Sequence, residues 1–465
     1  MRIARGWSQR ELGERLGISP SYLNLIERER RPITTELLLR AARVLDLDLR
    51  SLGADDAQLS AAMTEIATDP LFEDFAVTAA EIQDLVTTHP NFARMFRQLH
   101  THYAESRSQL ETLGAQLLAE DAESRVDRTR LSSEEVSDFF ERHGNYFPAL
   151  EEAAERLWAD AQLDGDGMFG LLKQHVQRTC GVRVSVCRSD DMNGAVRRYH
   201  RDRRELLLSD ALRPQSRTFQ LALQIALLSC PETLDRLVQD PALRSEGSRG
   251  LCRVALASYF AAAVMMPYSE FLQSAEASRY DIEVLGRRFG VGWEQTCHRL
   301  TTLRRPGKEG VAFYLLRVDM AGNISKRFSA AGIRFPRFSG LCALWNVHGA
   351  FAQPGRVRVQ LSRLPDSRTV LAIARTVRRD IGTYRASEVL YSVGIGCDVS
   401  DARRVVYADA VNVDSLEGAV PIGITCRTCE RLNCTARAFP SIGKPLRIDE
   451  NVRGVSFFAP VAGST

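Results

Sequence analysis

Apolar positions change their spacing along this 465-residue chain, from the period of a helix to that of a strand. Between residues 80 and 165 they recur every three or four positions, as in NFARMFRQL, which predicts amphipathic helices. Further on, the alternating run VRVSVCR precedes the strongly apolar helical stretch SRTFQLALQIALLSC. After residue 305, runs such as RTVLAIARTV alternate like strands joined by turns. The pattern predicts a multidomain α+β protein that ends in an antiparallel sheet with helices on one face.

The first fifty residues contain two short predicted helices separated by a tight turn. Leu12 and Leu16 lie on one face of the first helix, which Gly17 ends. Ser19 then caps a second helix beginning at Pro20, a favoured first position. This spacing predicts an all-α domain in the first fifty residues, which we call the head.

The second helix of the head presents polar side chains on its outer face. Leu23 and Ile26 are predicted to face the core, and the outward positions are Ser21, Tyr22, Asn24 and Arg28. A short helix, a tight turn and a capped helix with a polar outer face suit insertion into the major groove of DNA. A small helical bundle without DNA contacts is the alternative.

The head resembles an Xre-type helix-turn-helix, similar to phage repressors, in Gln9, Gly17, Ser19, Glu27 and the Leu38–Ala41–Leu45 pattern. The resemblance implies promoter DNA as a partner, contact of Gln9 with phosphate, and contact of the outer face of the second helix with bases or nearby phosphates. It also implies that the first helix is shortened here to residues 2–5. The predicted DNA-binding residues are Gln9, Ser19, Ser21, Tyr22, Asn24 and Arg28.

Composition bounds the cellular setting more than the function. A formal net charge of +3 is too small to indicate nucleic-acid binding by itself, and 45% hydrophobic residues are ordinary for a soluble protein. The N-terminus has no signal-peptide pattern, and the longest apolar stretch, residues 254–267, is too short to span a bilayer. We therefore predict a cytoplasmic protein without membrane contact, in which disulfides are rare.

The stretch after the head is predicted to connect domains and then to form long helices. Residues 54–72 are acidic and rich in small residues, which is typical of a connector. Four apolar residues then recur at helical spacing: Phe92, Met95, Phe96 and Leu99. Core packing is the favoured interpretation of this stripe, and a partner helix in a homodimer is the alternative. A homodimer suits a DNA-binding head because twofold symmetry matches paired half-sites.

Residues 166–305 resemble the zinc metallopeptidase-like domain that often follows an Xre domain. In that family a helix carries H-E-x-x-H, which supplies two zinc ligands and a general base. The aligned positions here are Leu223, Gln224, Ile225, Ala226 and Leu227. Residues 250–263 contain no acidic third ligand either. We therefore predict a degenerate scaffold and a protein that is not an enzyme; a redox enzyme is the less favoured alternative.

Three cysteines lie within nine residues in CRTCERLNC, at Cys426, Cys429 and Cys434. The C-x2-C and C-x4-C gaps bring three sulfurs around one small object, and a fourth ligand must come from elsewhere. Most structural zinc sites use two separated pairs, so the spacing favours an iron–sulfur cluster over zinc. A disulfide and unliganded thiols stay open. Cationic side chains that could offset the thiolate charge are Arg427, Arg431 and Arg437.

The predicted fourth metal ligand is Cys397, in the segment GIGCD. Gly394 and Gly396 on either side of Ile395 would let the backbone approach a bound group closely. Cys342 is the reserve fourth ligand, and His348 is a weaker choice.

The segments GLCALWNVHGAF, GIGCDVSDARRVVYADA and RAFPSIGKPLRIDE resemble the C-terminal domain of the short-chain fatty acyl transcriptional regulators. That family joins an Xre domain, a metallopeptidase-like domain and this domain in the same order. The resemblance implies a [4Fe–4S] cluster at the cysteines, with zinc as the alternative, and CoA or a short acyl-CoA as the effector. It also implies target genes of propionate, methylcitrate-cycle, or acetate and glyoxylate metabolism.

Phosphates of CoA need cationic partners, and its adenine needs an apolar or stacking surface. The predicted effector-binding residues are Arg337, Trp345, Arg375 and Arg378, and each could instead be a core aromatic residue or a solvated arginine. Four domains follow from the whole pattern. They are a helix-turn-helix at 1–53, a helical linker and dimerisation region at 54–165, a degenerate metallopeptidase-like domain at 166–305, and an effector-binding and iron–sulfur sensor domain at 306–465.

Overall fold

The computed structural model describes residues 7–27, 31, 34–44, 49–72, 75, 77–118, 124–163, 167–333, 335, 340–379, 389–431 and 433–441. Within these residues the chain divides after Arg107 into two compact units. The predicted short first helix at residues 2–5 and the predicted site residues Arg28 and Arg337 lie outside the described residues.

The N-terminal unit begins with a three-helix head: α1 (Gln9–Leu16), α2 (Pro20–Glu27) and α3 (Thr35–Val44). The side chains of Ser8 and Glu11 each accept a hydrogen bond from the other residue's amide, which forms a capping box at the start of α1. Gly17 ends α1 at φ +69°, a conformation that favours glycine. The head packs around Leu12 and Leu16, as the sequence predicts, together with apolar residues of α2 and α3.

Three further helices complete this unit: α4 (Leu49–Ile66), α5 (Ala79–Thr88) and α6 (Pro90–Leu118), the last of which runs into the second unit. Most of the predicted connector at 54–72 is helical, because residues 54–66 belong to α4. Its apolar residues are spaced at helical intervals and pack with α5 and α6 in a small core of Leu59, Met63, Ile66, Ile82, Val86 and Ala93.

The apolar stripe of α6 is not core. Phe92, Met95 and Leu99 are 63%, 60% and 64% exposed, whereas Ala93 on another face of the helix is fully buried. Phe96 lies between the two faces and contacts the ring of Phe72, with 5.7 Å between the ring centroids. The favoured sequence interpretation, core packing, is therefore wrong for most of the stripe.

The second unit begins with helices that surround a small sheet. The helices are α7 (Ser124–Arg142), α8 (Pro148–Ala161), α9 (Met168–Cys180), α10 (Pro214–Ser229), α11 (Pro231–Leu237), α12 (Glu246–Met265), α13 (Tyr268–Ala277), α14 (Ile282–Arg288) and α15 (Trp293–Leu300). The strands are β1 (Arg183–Cys187), β2 (Arg197–His200) and β3 (Glu205–Ser209). β3 lies between β1, with which it is parallel, and β2, with which it is antiparallel.

The C-terminal sheet has the predominantly antiparallel form that the sequence predicts. Its strands are β4 (Phe313–Val318), β5 (Ile324–Ser329), β6 (Arg358–Arg363), β7 (Thr369–Arg379), β8 (Val389–Asp398) and β9 (Val420–Pro421). They lie in the order β5-β4-β8-β7-β6-β9, and of these pairs only β6–β9 is parallel. GIGCD lies in the central strand β8, where its glycines had hidden the strand pattern.

Both faces of this sheet are covered, which corrects the expectation of helices on one face. One face, which includes Ile373 and Ile395, packs against apolar residues of α13, α14 and α15. The other face, which includes Ala372 and Leu316, packs under the short helix α16 (Asn346–Gly349) and the segment around Ile422. No single helix in the described part of the chain has the length and apolar composition to cross a membrane.

Candidate functional site

The outer face of α2 carries polar side chains at the surface of the head. Ser19 caps the helix by accepting a hydrogen bond from the Tyr22 amide, with 3.2 Å between Oγ and N. Ser21 is exposed and Asn24 is partly exposed, whereas Leu23 is buried in the head. Ser21 and Asn24 therefore lie where a groove-reading helix needs polar groups.

Two other predicted DNA-binding residues make contacts inside the head. The Gln9 amide donates a hydrogen bond to the Glu27 carboxylate, with 2.6 Å between Nε2 and Oε2, and so joins α1 to α2. The Tyr22 ring is half-buried and packs against the head's apolar core, which corrects its prediction as a fully outward residue. DNA contact by these residues stays a prediction.

The helix that aligns with the metal-binding helix of metallopeptidases is a core helix in this protein. Its aligned residues Leu223, Gln224, Ile225 and Ala226 are all buried. Apolar residues of α9 and α12 pack against them in one cluster. These positions carry no imidazole or carboxylate, so the helix has no groups there that bind a catalytic zinc ion.

Two of the clustered cysteines share a single turn that follows β9. Thr425 begins the turn by accepting a hydrogen bond from the Thr428 amide, with 3.3 Å between Oγ1 and N. The Cys429 amide donates to the Cys426 carbonyl at 3.4 Å. Cys429 is buried, while Cys426 and Cys434 are partly exposed. The turn therefore holds the C-x2-C pair close to the surface.

Arg437 joins this turn to the segment that carries the third cysteine. Its guanidinium donates hydrogen bonds to the carbonyls of Cys426 and Cys429, at 2.9 and 2.6 Å. Its own amide donates to the Cys434 carbonyl at 3.3 Å. Arg431 donates in the same way to backbone carbonyls of neighbouring segments. These arginines thus hold the cysteine loop through its backbone as well as bringing positive charge.

Cys342 lies beside the C-x2-C pair. Burial raises the pKa of the Cys342 thiol, amide hydrogen bonds from Gly423 and Leu344 lower it, and the nearby thiols of Cys426 and Cys429 raise it. A Cβ at Gly423 would lie 3.0 Å from Cβ and 3.1 Å from Sγ of Cys429, so a larger residue there would displace that thiol. The Cys342 amide donates a hydrogen bond to the Ile424 carbonyl at 3.0 Å, so backbone pairing holds Cys342 next to the segment that enters the C-x2-C turn.

Cys397 lies on the other face of the sheet, and this placement corrects its choice as the fourth ligand. On β8, Cys397 belongs to the apolar layer over α13–α15, whereas Cys342 belongs to the layer on the opposite face. Burial raises the pKa of the Cys397 thiol, and Asp401 and Asp398 add to the rise. The structure brings Cys342, the reserve ligand, to the C-x2-C pair in place of Cys397.

The glycines beside Cys397 serve packing within the sheet. A Cβ at Gly394 would lie 2.4 Å from Val347 of α16. A Cβ at Gly396 would lie 2.2 Å from the carbonyl oxygen of Leu371 and 2.6 Å from the Tyr314 ring. Both glycines are therefore required by close packing on the face opposite Cys397, not by approach to a bound group.

Three of the predicted effector-binding residues are described, and they lie in different places. Trp345 is buried, donates from Nε1 to the Gly423 carbonyl at 3.0 Å and packs edge-on against Tyr314, which makes it a core residue. Alternation along β7 places Arg375 and Arg378 on opposite faces of the sheet. The three described residues do not form one pocket, and Arg375 lines a cleft.

Three family models match successive parts of the chain. A helix-turn-helix model matches residues 1–52, and an IrrE N-terminal-like domain model matches residues 177–301. The C-terminal domain model of the short-chain fatty acyl coenzyme A regulators matches residues 302–458. The HTH-type transcriptional regulator PrpR of Mycobacterium tuberculosis is 38% identical over 454 residues, which are 97% of this chain and 92% of that protein.

The chain belongs to the short-chain fatty acyl coenzyme A regulator family.

Other relatives of this regulator agree with the assignment. The HTH-type transcriptional regulator RamB of Mycobacterium tuberculosis is 38% identical, over 98% of this chain and 96% of that one. A propionyl-CoA carboxylase regulator of Cereibacter sphaeroides is 36% identical, with the same shares covered. A solved Mycobacterium tuberculosis transcriptional regulator superposes with a TM-score of 0.68 and 39% identity, covering 71% of this chain and 99% of its own. The protein is a DNA-binding transcription regulator and not an enzyme, as the sequence predicts.

Some groups in these sites escaped the sequence. The Gly423 and Leu344 amides that face Cys342 carry no sequence signal, because any residue except proline has an N–H. Trp293, which contacts Arg375, stands alone in GVGWEQ, and no motif in the sequence singles it out. The Glu27 partner of Gln9 was visible only as part of the family resemblance.

Proposed function

We propose that this regulator controls genes of short-chain acyl-CoA metabolism, with its DNA binding set by CoA or a short acyl-CoA. The observation that carries the proposal is the exposed polar face of α2 on a compact head, in the same chain as the C-terminal regulator domain. The Cereibacter relative is named for propionyl-CoA carboxylase, which supports propionate metabolism as the target. Acetate and glyoxylate metabolism is the second candidate.

A promoter-binding measurement tests this proposal. Full-length protein should retard DNA fragments from promoters of propionyl-CoA carboxylation or methylcitrate-cycle genes, and propionyl-CoA should change the apparent Kd. Replacing Asn24 by alanine should weaken binding about tenfold or more, because a good base contact contributes about 1–3 kcal/mol. Fluorescence anisotropy at fixed salt concentration measures both effects.

The matched control for Asn24→Ala is Asn91→Ala, which removes an exposed asparagine from α6, outside the head. It should leave DNA affinity unchanged. Equal losses from both variants would show that α2 does not read bases. If the full-length protein retarded none of the promoter fragments with any ligand, the proposed target genes would be wrong.

We also propose that the regulator carries a [4Fe–4S] cluster bound by Cys342, Cys426, Cys429 and Cys434. The hydrogen bond from the Cys342 amide to the Ile424 carbonyl, at 3.0 Å and two residues before the C-x2-C pair, supports this ligand set. A bound cluster would cross-link the segment before α16 to the loop after β9. This set replaces the predicted one, in which Cys397 was the fourth ligand.

Cysteine spacing in the sequence supports the cluster over zinc, because most structural zinc sites use two separated pairs. A zinc ion bonds four sulfurs at about 2.3 Å and so needs them close together. In the described part of the chain no three Cys, His, Asp or Glu side chains are gathered closely enough to hold one metal ion. Each thiolate of a [4Fe–4S] cluster binds a different iron, so that the four sulfurs lie farther apart.

The exposed stripe of α6 supports a homodimer, and we propose that a second copy of this chain covers it. Phe92, Met95 and Leu99 follow one another at helical spacing, as in helices that pair. A DNA-binding head that reads one half-site gains affinity when a twofold partner reads the next. The stripe lies on the same helix that leads from the head to the second unit.

Replacing Leu99 by glutamate is therefore expected to shift the regulator from dimer to monomer, because a carboxylate is costly to bury in an apolar interface. Sedimentation velocity at several protein concentrations measures the shift. The control is Thr101→Glu, which adds the same charge to an exposed position on the opposite side of α6. A dimer that survives Leu99→Glu would assign the interface to another surface.

A further inference from the structure

A cleft of about 510 Å³ lies between the metallopeptidase-like part of the chain and the C-terminal sheet. Its walls come from the start of α10, from α14 and the loop after it, from Trp293 and from Arg375 of β7. The volume is in the range of small-molecule sites. Because residues matched by two family models line it, a ligand bound there would touch both regions.

Two buried hydrogen-bond donors at this cleft have no acceptor. They are the indole Nε1 of Trp293 and the guanidinium Nε of Arg375. The two residues contact each other, since the Arg375 guanidinium carbon lies 5.1 Å from the Trp293 ring centroid. Buried Trp and Arg N–H groups normally find an acceptor, so an unmatched pair side by side indicates a missing oxygen atom.

The charges around the cleft favour an anion. Arg375 and Arg287 both line it, opposed by the single carboxylate of Glu283. Glu283 accepts a hydrogen bond from Arg375, with 2.8 Å between Oε1 and Nη1. Arg287 is exposed and forms no ion pair with a described residue. The N-terminus of α10 has no side-chain cap and adds partial positive charge at the same place.

We propose that this cleft binds the phosphate group of an organic ligand, with Arg375 and Arg287 as its cationic partners. The phosphate takes the place of the Glu283 carboxylate beside Arg375. Displacement of the Glu283 side chain exposes the Nε of Arg375 and the indole N–H of Trp293 to phosphate oxygens. Apolar parts of the ligand contact Ile282 and Val291, which line the same cleft. A planar guanidinium suits phosphate because it can donate two parallel hydrogen bonds.

Ligand binding here also changes a contact between two regions of the protein. The Arg375–Glu283 ion pair joins β7 to α14. A phosphate that competes for Arg375 exchanges this contact for one with the ligand, and so favours a different placement of α14. The identification of CoA as the natural ligand rests on the proposed function, whereas the phosphate site itself does not.

The test is calorimetric titration of the full-length regulator with CoA, propionyl-CoA, propionate and pyrophosphate. Arg375→Met should weaken binding of CoA and pyrophosphate about tenfold or more, because hydrogen bonds to charged groups are strong. Glu283→Gln should strengthen both about threefold, because it removes the competing carboxylate. Propionate, which lacks phosphate, should bind weakly to every variant.

Arg288→Met is the matched control, since Arg288 is an exposed arginine of α14 that does not line the cleft. It should leave each affinity unchanged, and unaltered thermal unfolding should accompany all three variants. Wild-type binding of CoA that Arg375→Met and Glu283→Gln leave unchanged would overturn the cleft and spare the proposed function. Pyrophosphate binding that depends on Arg375, without any response to CoA, would spare the cleft and overturn control by CoA. Absence of binding by pyrophosphate and CoA would overturn the site.

Discussion

Replacing Glu151 by alanine is expected to lower the free energy of unfolding of the second unit by about 3–5 kcal/mol. Glu151 of α8 and Arg299 of α15 form a bidentate ion pair, with N–O distances of 2.6 and 2.9 Å, and both side chains are essentially inaccessible to solvent. Removing the carboxylate leaves the guanidinium buried without its counter-charge. The result is measured as the decrease of the unfolding temperature of full-length protein by calorimetry.

Further hydrogen bonds connect both side chains of this ion pair to the surrounding helices. The Tyr259 hydroxyl donates to the Glu151 carboxylate at 2.6 Å, and burial raises the pKa of that phenol well above its usual value. Arg299 also donates from Nε to the Met266 carbonyl at 2.9 Å. The network thus joins α8, α12 and α15 at the centre of the unit, and its loss leaves several polar groups unsatisfied.

Two comparisons separate this effect from simple loss of a charge. Glu155→Ala removes a half-exposed partner of Arg305 from the same helix, and should cost about 1 kcal/mol or less. The double replacement Glu151→Met with Arg299→Met should cost less than Glu151→Ala, because no uncompensated charge remains buried. Similar losses from Glu151→Ala and Glu155→Ala would contradict the role assigned to the buried pair.

Anaerobically purified regulator is expected to be brown, and Cys342→Ala is expected to abolish the colour. The backbone hydrogen bond from Cys342 to Ile424 places Cys342 beside the turn of Cys426 and Cys429, so its replacement removes one of the four proposed ligands. Cys397→Ala should keep the colour, because its thiol points into the apolar layer on the other face of the sheet. Visible absorbance before and after dithionite, with iron and sulfide content, measures the outcome.

Both cysteines are buried, so the two alanine variants remove thiols of similar environment. Folding is checked in each by circular dichroism. Colourless wild-type protein with one zinc ion per chain would show that the cysteines bind zinc and not an iron–sulfur cluster. A chromophore lost in Cys397→Ala and kept in Cys342→Ala would restore the fourth ligand that the sequence suggested.

The head shows how far local signals reach. Gly17 predicted the end of α1 and Ser19 predicted the cap of α2, because caps depend on residues adjacent in sequence. Leu12 and Leu16 predicted the buried face for the same reason, since helical periodicity fixes which side chains share a face. Tyr22 was misplaced because a large ring at the border of that face can turn toward the core.

The cysteine ligands show where such signals end. Cys426 and Cys429 are three residues apart, so their shared turn follows from sequence alone. The identity of the fourth metal ligand depended on which face of β8 carries Cys397, and on which distant segment packs beside the turn. Two candidates on different elements are equivalent in sequence, and only sheet pairing and alternation decide between them.

The sequence by itself determined the order of the domains, the capped helices of the head, the loss of the metallopeptidase ligands and the shared turn of Cys426 and Cys429. These depend on residue identity and on spacing within a few turns of chain. Tertiary structure alone decided that Cys342 and not Cys397 approaches that pair, that the α6 stripe is exposed, and that Arg375 contacts Trp293. Each depends on which of many possible surfaces are buried against each other, and that choice is made by the packing of the whole chain.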